Sequence, residues 1–536
     1  MTSGGRYDAI VIGGGHNGLT AAAYLGRAGL RVLVVERRGI IGGAAVTEEV
    51  APGARVSSCS YIASMLMPTV IRDLDLGRHG LRMVACDPIL TVPLGDGEII
   101  RWWSSVERTA DEIRRFSEAD AEAFIRVDRQ LKALAAYLQP FFLEPPPDLA
   151  AKGMAKLRQM LRLARRFRHL SGPQTAELLT FLTGSLGDFL DRHFESDAVK
   201  RMILANSVYG KHGGPYEPGS AGGLLFHLLA GGDDAVQGFG GHVMGGMGAI
   251  SDAIAVAARG FGVEIRTDAP VSRIIVKAGR ATGVVLDDGP AIEAPLILSN
   301  ADPKRTFLGL VAPEHLPEDF RRDIAAIKMA GPAAKLNLLL SREPAVIGRA
   351  PDATPAERAL LSIAPTLDGA QRCADIARLG DIPDELWIDC VIPSLIDDSL
   401  CPPGKQMMTC FIQYVPYRLN EGTWDDHQEA FAQSIIRQIA RHMPDLPGLI
   451  EAQTVLTPLD LERTYGLTEG NIFHGDLHLG QLFSMRPVPG WSQYRTPVAG
   501  LYLCGAGAHP GGGVTGAPGH NAAMQVLRDR KRRRRV

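Results

Sequence analysis

Residues 7–36 read YDAIVIGGGHNGLTAAAYLGRAGLRVLVVE, and this stretch decides the fold class. Tyr7 to Ile12 is a short apolar run rich in β-branched residues, which predicts a buried strand. Three glycines spaced G-x-G-x-x-G follow at once, and Leu19 to Ala28 then predicts a helix. Arg31 to Val35 predicts a second strand, which ends at Glu36. The order strand, glycine loop, helix and strand predicts a Rossmann unit within an α/β protein.

Each part of the glycine loop has a physical task in binding a dinucleotide. Gly13 permits the tight turn, Gly15 lets the backbone approach a pyrophosphate, and Gly18 lets the helix pack close to the sheet. The helix N-terminus, where His16 and Asn17 stand, offers free N–H groups and a partial positive charge to phosphates. The alternative is a glycine-rich turn with no ligand.

The residues that follow the second strand indicate which dinucleotide binds. Glu36 lies 18 residues after the third glycine of the loop, where an acid bonds ribose hydroxyls and repels a 2′-phosphate. The next segment begins with Arg37 and contains Gly42, Gly43 and Ala44. It resembles the E-R/K-x-x-x-x-G-G segment of FAD enzymes of the amine oxidase and phytoene desaturase type, although many of these carry arginine where Ala44 stands. The resemblance implies that the cofactor is FAD.

A second strand, glycine loop and helix lie near the other end of the chain. Gly500 to Cys504 predicts the strand and Ala517 to Leu527 predicts the helix. The N-terminus of this helix would stabilise an anionic reduced flavin. The alternative is a glycine-rich loop of purely structural use. The residues of this loop expected at the cofactor are Gly505, Ala506, Gly513 and Val514.

Longer phrases of the sequence are typical of one family. LYLCGAGAHPGGGVTGAPGHNAA near the C-terminus and GGGHNGLTAAAYL near the N-terminus resemble the phytoene desaturase-like FAD oxidoreductases. Within that family they are most similar to the subgroup of pyridine nucleotide-disulfide oxidoreductase domain-containing proteins. The resemblance implies a Rossmann-type FAD-binding domain with an inserted α+β substrate domain and a helical cap. It also implies that Val271 meets the adenine through its backbone, and that Ala506 replaces an acid with which relatives outside the subgroup hold the ribitol.

The resemblance and the hydrophobic pattern together predict how the chain is divided. Residues 1–105, 236–310 and 456–536 would build the FAD-binding domain, 106–235 a helical cap, and 311–455 an antiparallel substrate sheet. The glycine-rich run Val236 to Gly248 would lead the chain back to the FAD-binding domain. The apolar β-runs expected in the substrate sheet are Ala333–Leu340, Leu386–Ile396 and Met407–Val415.

The expected reaction is hydride transfer between a flavin and a lipophilic substrate of isoprenoid type, because the resembled family makes or saturates C=C bonds.

His509, in the second glycine loop, is the candidate catalytic residue; the alternative is a hydrogen bond that holds the loop. A structural role is favoured for His474, Asp476, Tyr209, Lys211 and His212, and no metal site is predicted. An amine oxidase-like enzyme and a flavin-binding regulator without turnover stay open as other functions.

The composition of the chain and the motifs that it lacks limit the classes of partner that we expect. The chain has 536 residues, a net charge of −2 and 46% hydrophobic residues, which predicts a globular protein that does not bind nucleic acid. Its seven cysteines include no C-x-x-C pair, and no second G-x-G-x-x-G follows a strand in the middle third. These observations argue against glutathione reductase-like activity. Electrons would therefore pass to a diffusible acceptor such as a quinone, oxygen or NAD(P).

Two segments of the chain are rich in lysine and arginine. Residues 152–168 alternate seven lysines and arginines with apolar residues, as in a basic amphipathic helix. Such a helix is either solvated or docks on a membrane surface or partner beside the substrate entrance. The tail Arg528 to Arg535 predicts a disordered end.

Neither a signal peptide nor a transmembrane helix is predicted, which favours the cytoplasm with peripheral membrane contact, or the mitochondrion in a eukaryote.

Overall fold

A computed structural model describes residues 7–168, 170–207, 209–229, 241–287 and 289–533 of the chain. Two predicted features fall partly outside these residues: the glycine-rich run, at 236–240, and the basic tail, beyond Arg533. Residues 528–533 of that tail continue the last helix, Ala517–Arg533, so the prediction of a disordered end is wrong for them.

The strands are, in chain order, β1 Ala9–Ile12, β2 Val32–Val35, β3 Thr47–Ala51, β4 Ala54–Ser57, β5 Met83–Ala85, β6 Leu90–Gly95, β7 Glu98–Trp102, β8 Gly241–Val243, β9 Glu264–Arg266, β10 Val271–Lys277, β11 Arg280–Leu286, β12 Ala291–Glu293, β13 Ile297–Ser299, β14 Ala333–Leu340, β15 Leu360–Ile363, β16 Trp387–Val391, β17 Gln406–Gln413, β18 Ile450–Leu456 and β19 Leu501–Leu503.

The helices are α1 His16–Arg27, α2 Pro68–Asp73, α3 Val106–Arg114, α4 Glu118–Leu138, α5 Gly153–Phe167, α6 Gly172–Thr183, α7 Leu186–His193, α8 Asp197–Leu204, α9 Gly222–Leu229, α10 Gly248–Gly260, α11 Glu318–Ala325, α12 Pro355–Ala359, α13 Leu367–Arg378, α14 Trp424–Ala440, α15 Pro458–Tyr465 and α16 Ala517–Arg533.

A five-stranded parallel sheet in the order β19-β13-β1-β2-β9 forms the centre of the nucleotide-binding part. Every residue of β1 and β2 is buried, as expected for a parallel strand covered on both faces. Because the strands are parallel, the segments that follow β1, β13 and β19 leave the sheet at the same edge. The pairing joins distant parts of the chain, which confirms the Rossmann fold and supports the proposed division into segments.

Helix α1 packs between α10 and α16. Its close fit depends on glycine at two positions. A Cβ on Gly18 would lie 2.2 Å from the carbonyl oxygen of Gly13, and one on Gly519 would lie 2.0 Å from the carbonyl oxygen of Asn17. No side chain fits at either contact, so the two glycines set the distance of α1 from the first loop and from α16.

The second large sheet is antiparallel, in the order β15-β16-β17-β14-β18. Strand β14, which lies between β17 and β18, has the sequence AAKLNLLL, whose side chains alternate between the two faces. Leu336 and Leu338 belong to the core that the sheet forms with α14, while Lys335 and Asn337 point to the opposite face. The sheet therefore has one apolar face and one face that carries buried polar groups.

Helices α3 to α9 lie in the segment predicted as a helical cap. Several begin where a serine hydroxyl accepts a backbone N–H of the first turn, which satisfies a donor that the helix leaves free. These serines are Ser105, Ser117, Ser171 and Ser185. No helix in the described ranges is both long and apolar enough to cross a bilayer.

The predicted β-runs differ from the strands in three respects, the first being that the run Met407 to Val415 extends two residues past β17, which ends at Gln413. The run Leu386 to Ile396 was too long, since β16 ends at Val391 and Pro393 opens a short 3₁₀ turn. Proline lacks the N–H that a ladder needs, which explains the end of the strand. The outer strands β15 and β18 were missed altogether; β15 has only four residues, β18 contains Glu451, Gln453 and Thr454, and the pairing of both depends on the neighbouring strands.

We predict that Gly519→Ala lowers the temperature of thermal unfolding, because the added methyl group would meet a backbone oxygen of α1. Overpacking of this kind costs about 1–3 kcal/mol. Gly260→Ala, at the end of α10, is the matched control, since its Cβ would meet nothing within 4 Å. Circular dichroism melts of both variants would test this, and equal unfolding temperatures would contradict it.

Candidate active site and cofactor site

A cavity of about 380 Å³ extends from the first glycine loop to the polar face of the substrate sheet. Loop and strand ends of the Rossmann unit form one part of its wall. Side chains of β14, β16 and β17 form another. The site therefore lies where the carboxyl edge of the parallel sheet faces the second sheet.

Twelve of the fifteen predicted cofactor residues line this cavity. They are Gly13, Gly15, His16, Asn17, Glu36, Arg37, Gly43, Ala44, Val271, Ala506, Gly513 and Val514.

The other three, Gly18, Gly42 and Gly505, do not line the cavity. Their Cβ positions would lie 2.2 to 2.5 Å from the carbonyl oxygens of Gly13, Ala45 and Asn300, respectively. These glycines let the surrounding backbone approach closely. Their contribution to a cofactor is therefore indirect.

Two backbone N–H groups hold the Glu36 carboxylate in place. Its Oε2 accepts the Gly14 N–H at 2.8 Å, and its Oε1 accepts the Arg38 N–H at 2.9 Å. The carboxylate is buried and lines the cavity. Each oxygen can accept a further hydrogen bond, which suits two ribose hydroxyls.

Several buried polar atoms of the cavity wall have no hydrogen-bond partner within the described residues. They are His16 Nε2, Asn17 Oδ1, Arg38 Nη1, Arg305 Nε and His474 Nδ1. Unsatisfied buried groups are rare in folded proteins, so these atoms point to a ligand with both charge and hydrogen-bonding groups. The diphosphate and hydroxyls of FAD meet that requirement, and we propose that the twelve lining residues, with Arg38 and Arg305, hold the cofactor.

Two histidines lie among these groups. Burial lowers the pKa of His16 and of His474 to about 4, so both rings are neutral at physiological pH. His474 was expected to be structural, but the structure places it on the cavity wall. Neutral imidazoles there can accept or donate a hydrogen bond without adding charge.

The opposite end of the cavity carries a buried lysine. Lys335, the third residue of β14, is 1% exposed. Its Nζ donates to Thr409 Oγ1 at 2.7 Å and lies 4.7 Å from the centre of the Tyr61 ring. Burial lowers the pKa of Lys335 to about 8, so the amine can hold or release a proton near neutral pH.

A buried aspartate stands in the same row of the sheet. Asp389, Phe411 and Lys335 occupy directly opposed positions on β16, β17 and β14. Asp389 accepts hydrogen bonds from the Tyr61 hydroxyl at 2.8 Å, from the Trp387 indole at 3.1 Å, and from Ser362. Burial raises the pKa of Asp389, and these hydrogen bonds oppose the rise.

Aromatic rings complete this end of the cavity. Tyr61 stacks on Phe411 with ring centres 5.4 Å apart, and Tyr209 meets Phe411 edge-on at 6.2 Å. All three residues line the cavity. These rings come from the segment after β4, from the cap and from β17. A structural role was expected for Tyr209, and its position on the wall was not foreseen.

Sequence reasoning missed Lys335, Asp389, Tyr61 and Phe411. The available signal was a charged residue inside an otherwise apolar strand, as in AAKLNLLL and WIDCV. Charged residues are seldom fully buried without a partner, so such a position marks a functional candidate.

His509 is not among the residues that line the cavity. Its side chain is buried, its Nε2 lies 2.8 Å from the carbonyl oxygen of Phe141, and its ring packs beside Phe483. Burial lowers the pKa of His509 to about 4. This geometry favours the alternative in which His509 ties the glycine loop to the cap, over a catalytic role.

The remaining histidine and acid candidates also lie away from the cavity wall. Asp476 accepts the backbone N–H groups of His212 at 3.3 Å and Leu477 at 2.9 Å. Burial lowers the pKa of Lys211, and the charges of Asp476 and Glu217 oppose that shift. The hydrogen bonds of Asp476 are consistent with the structural role expected for it.

Two cysteines lie close together in space although no C-x-x-C pair exists. Cys390 and Cys410 are opposed across β16 and β17, with sulfurs 3.8 Å apart. Both belong to the core beneath α14, on the face turned away from the cavity. This pair therefore has no contact with the proposed flavin site.

A Rossmann sheet, a dinucleotide cavity and an opposing antiparallel sheet define a FAD-dependent oxidoreductase. Residues 18–527 match the family model of flavin containing amine oxidoreductases. The chain belongs to this family, FAD is its cofactor, and it is an oxidoreductase.

Full-length relatives agree with that assignment. Pyridine nucleotide-disulfide oxidoreductase domain-containing protein 2 of Mus musculus is 40% identical, over 98% of this chain and 94% of its own length. One of the limonene dehydrogenase subunits of Castellaniella defragrans is 28% identical, and phytoene desaturase (neurosporene-forming) of Cereibacter sphaeroides is 27% identical, each over 97% of this chain and 94% of its own. The resemblance to phytoene desaturases and to the subgroup of the mouse protein is thereby confirmed.

Solved structures show the same fold. A putrescine oxidase variant superposes with a TM-score of 0.62 at 17% identity, covering 98% of this chain and 99% of its own. The fold of the amine oxidase type is thus confirmed.

We predict that Glu36→Gln raises the dissociation constant for FAD by roughly tenfold or more, because hydrogen bonds to a charged group contribute about 1.5–3 kcal/mol each. Glu318→Gln, at an exposed position on α11, is the control and should bind FAD as the parent protein does. Fluorescence titration of the apoprotein with FAD measures both. Unchanged affinity in Glu36→Gln would contradict the assignment of this carboxylate.

Proposed function

We propose that the protein is a dehydrogenase that removes hydrogen from a C–H bond of a lipophilic substrate. The observation that carries this proposal is the continuity of the cavity, which joins the dinucleotide loop to a buried end lined by aromatic rings. When bound, FAD supplies an acceptor for two electrons. The chain's own residues position a substrate and exclude water.

Most of the cavity wall at the substrate end is apolar, which suits an apolar molecule. Tyr61, Tyr209 and Phe411 present ring surface, and Ile62, Met65 and Leu360 add aliphatic surface. Binding an apolar molecule there removes its surface from water, and this burial contributes about 25 cal/mol of favourable free energy per Å² of apolar surface. The names of two relatives, a limonene dehydrogenase and a phytoene desaturase, support an isoprenoid-type substrate.

Amine oxidation is the second candidate. The aromatic wall favours it, since rings can contact an amine substrate through their faces. The similarity to putrescine oxidase shows the fold alone and does not decide between the two reactions.

The electron acceptor is proposed to be diffusible. The described strands build a single five-stranded parallel sheet with its glycine loops, and the other sheets are antiparallel. No second nucleotide-binding sheet is thus available within those residues to hold NAD(P)H. A quinone, oxygen or NAD(P) would have to reach the cavity from solution or from a membrane.

We predict that the oxidised flavin of the purified holoenzyme is bleached under anaerobic conditions by lipophilic alkenes, but not by putrescine, cyclohexylamine or NADPH. Stopped-flow absorbance of the flavin measures this, and buffer alone is the control. Bleaching by the amines and not by any alkene or related lipophile would replace the dehydrogenase proposal with amine oxidation.

We further propose that α5 contacts an anionic membrane surface, from which a lipophilic substrate can be taken. None of its residues is buried. Its apolar residues Leu157, Met160 and Leu161 are 48%, 58% and 49% exposed and recur at helical spacing. Seven lysines and arginines and no acidic residue lie in 152–168, so the charge of this segment complements anionic headgroups. A cytoplasmic or mitochondrial location stays a prediction.

Leu157→Glu/Leu161→Glu is expected to abolish flotation with vesicles of phosphatidylcholine and phosphatidylglycerol, because it places acids on the apolar face. Leu379→Glu, at a residue 65% exposed outside α5, is the matched control. The parent protein should float with these vesicles and not with pure phosphatidylcholine. Failure of the parent protein to bind anionic vesicles would exclude the membrane role.

A further inference from the structure

We propose that Arg486 is a positioning residue for the cofactor: it holds the second glycine loop, residues 505–516, from behind, and its buried charge favours the reduced over the oxidised flavin. The inference goes beyond the proposed function, because it concerns FAD and is the same whichever substrate is oxidised. It rests on the hydrogen bonds of the guanidinium group and on its place behind the cavity wall.

The N–H groups of the Arg486 guanidinium are all used inside the protein. An arginine side chain has five N–H donors, and this one, 2% exposed, meets five main-chain carbonyls. The bond from Nε to Ala506 measures 3.0 Å, and the bond from Nη1 to Gln481 measures 3.1 Å. The five acceptors are the carbonyl oxygens of Phe473, Gly475, Asp476, Gln481 and Ala506.

The guanidinium group lies directly behind the wall of the cofactor cavity. Phe473 and Ala506 line the cavity, whereas Arg486 does not. The group also lies against the middle of the second glycine loop, since a Cβ on Gly511 would be 3.6 Å from its Nε and 3.8 Å from its Cζ. Arg486 therefore joins the beginning and the middle of this loop to the segment 473–481.

These hydrogen bonds set the direction of two peptide groups in the wall. The carbonyl oxygens of Phe473 and Ala506 are bonded to a group outside the cavity. A peptide carbonyl carries a partial negative charge, as part of the dipole of its peptide unit. Turning both oxygens toward Arg486 keeps that negative charge away from the cofactor.

The positive charge of Arg486 is bonded only to uncharged carbonyls. Burial lowers the pKa of Arg486 to about 10, and the charge of Asp476 opposes that shift, so the guanidinium stays charged at neutral pH. Burial is also the main cause of the low pKa of His474 and of His509, and the charge of Arg486 lowers both further. The field of Arg486 thus acts on a residue of the cavity wall and on a residue of the glycine loop.

A buried positive charge beside the cofactor has a predictable effect on its reduction. FAD gains negative charge when it is reduced, and a fixed cation in a water-poor site stabilises such charge more than it would in bulk water. The reduction potential of the bound flavin is therefore raised. A higher potential makes the flavin a stronger acceptor for hydrogen from a C–H bond.

The test measures the midpoint potential of the flavin in the holoenzyme without substrate, by anaerobic equilibration with a dye of known potential. Arg486→Met should weaken the preference for reduced over oxidised flavin by roughly tenfold, which lowers a two-electron potential by about 30 mV. Arg486→Lys keeps the charge on three donors and should stay closer to the parent protein. An unchanged potential in Arg486→Met would overturn the inference even if the affinity for FAD fell, because Arg486 would then serve the shape of the loop alone.

Arg201→Met is the matched control. Arg201 is also partly buried and donates to main-chain carbonyls, those of Pro93, Leu94 and Ala364, but it does not line the cavity. Its replacement should leave the flavin potential unchanged. An equal fall in both variants would reflect the loss of any such arginine and would overturn the inference.

Asp476→Asn gives a prediction of opposite sign and decides the matter if Arg486→Met does not retain FAD. Oδ1 of Asp476 accepts the N–H groups of His212 and Leu477, and the amide oxygen of asparagine can accept the same bonds. Removing the negative charge leaves that of Arg486 less compensated, so the flavin potential should rise. Loosened packing would not move the two variants in opposite directions, and a constant or lower potential in Asp476→Asn would contradict the role of the charge.

Discussion

The rest of the structure depends on how closely helix α1 approaches the end of strand β1. The Cβ position of Gly18 lies 2.2 Å from the carbonyl oxygen of Gly13, a distance that only glycine allows. This contact points the N-terminus of α1 at the carboxyl edge of the parallel sheet. Gly519 makes a similar approach to Asn17 and thereby holds α16, which follows the second glycine loop, against the same helix. The two ends of the chain meet at one cofactor site because both contacts exclude side chains.

The second constraint is the unequal faces of the substrate sheet. One face is apolar and packs on α14, which stabilises the sheet without involving the site. The other face presents a row of polar side chains to the cavity, with Asp389, Phe411 and Lys335 side by side on three strands. Burying a lysine costs stability, so its presence on an otherwise well-packed sheet is best understood as a requirement of binding or catalysis.

The cavity thus has two chemically different ends. Arginines, neutral histidines and backbone N–H groups form the end suited to an anionic dinucleotide. Aromatic rings around a single amine form the end suited to a substrate. A common cavity lets the two ligands meet away from bulk water, where electrostatic interactions with Lys335 are stronger. Tyr61 links the groups of the second end, since its hydroxyl bonds Asp389 and its ring faces Lys335.

The sequence alone determined the Rossmann unit, its glycine loops, the acid at Glu36, the cofactor and the family. These features are local: strand, loop, helix and acid follow one another within thirty residues, and their spacing is set by backbone geometry. Only the tertiary structure decided which side chains form the substrate end. Tyr61 and Asp389 are 328 positions apart, and the alternation in a strand shows which residues share a face but not what that face meets. For the same reason His509, which stands in a cofactor loop, could be turned toward Phe141 and away from the cavity. Loop sequence does not specify the direction of a side chain, because that direction depends on packing against distant parts of the chain.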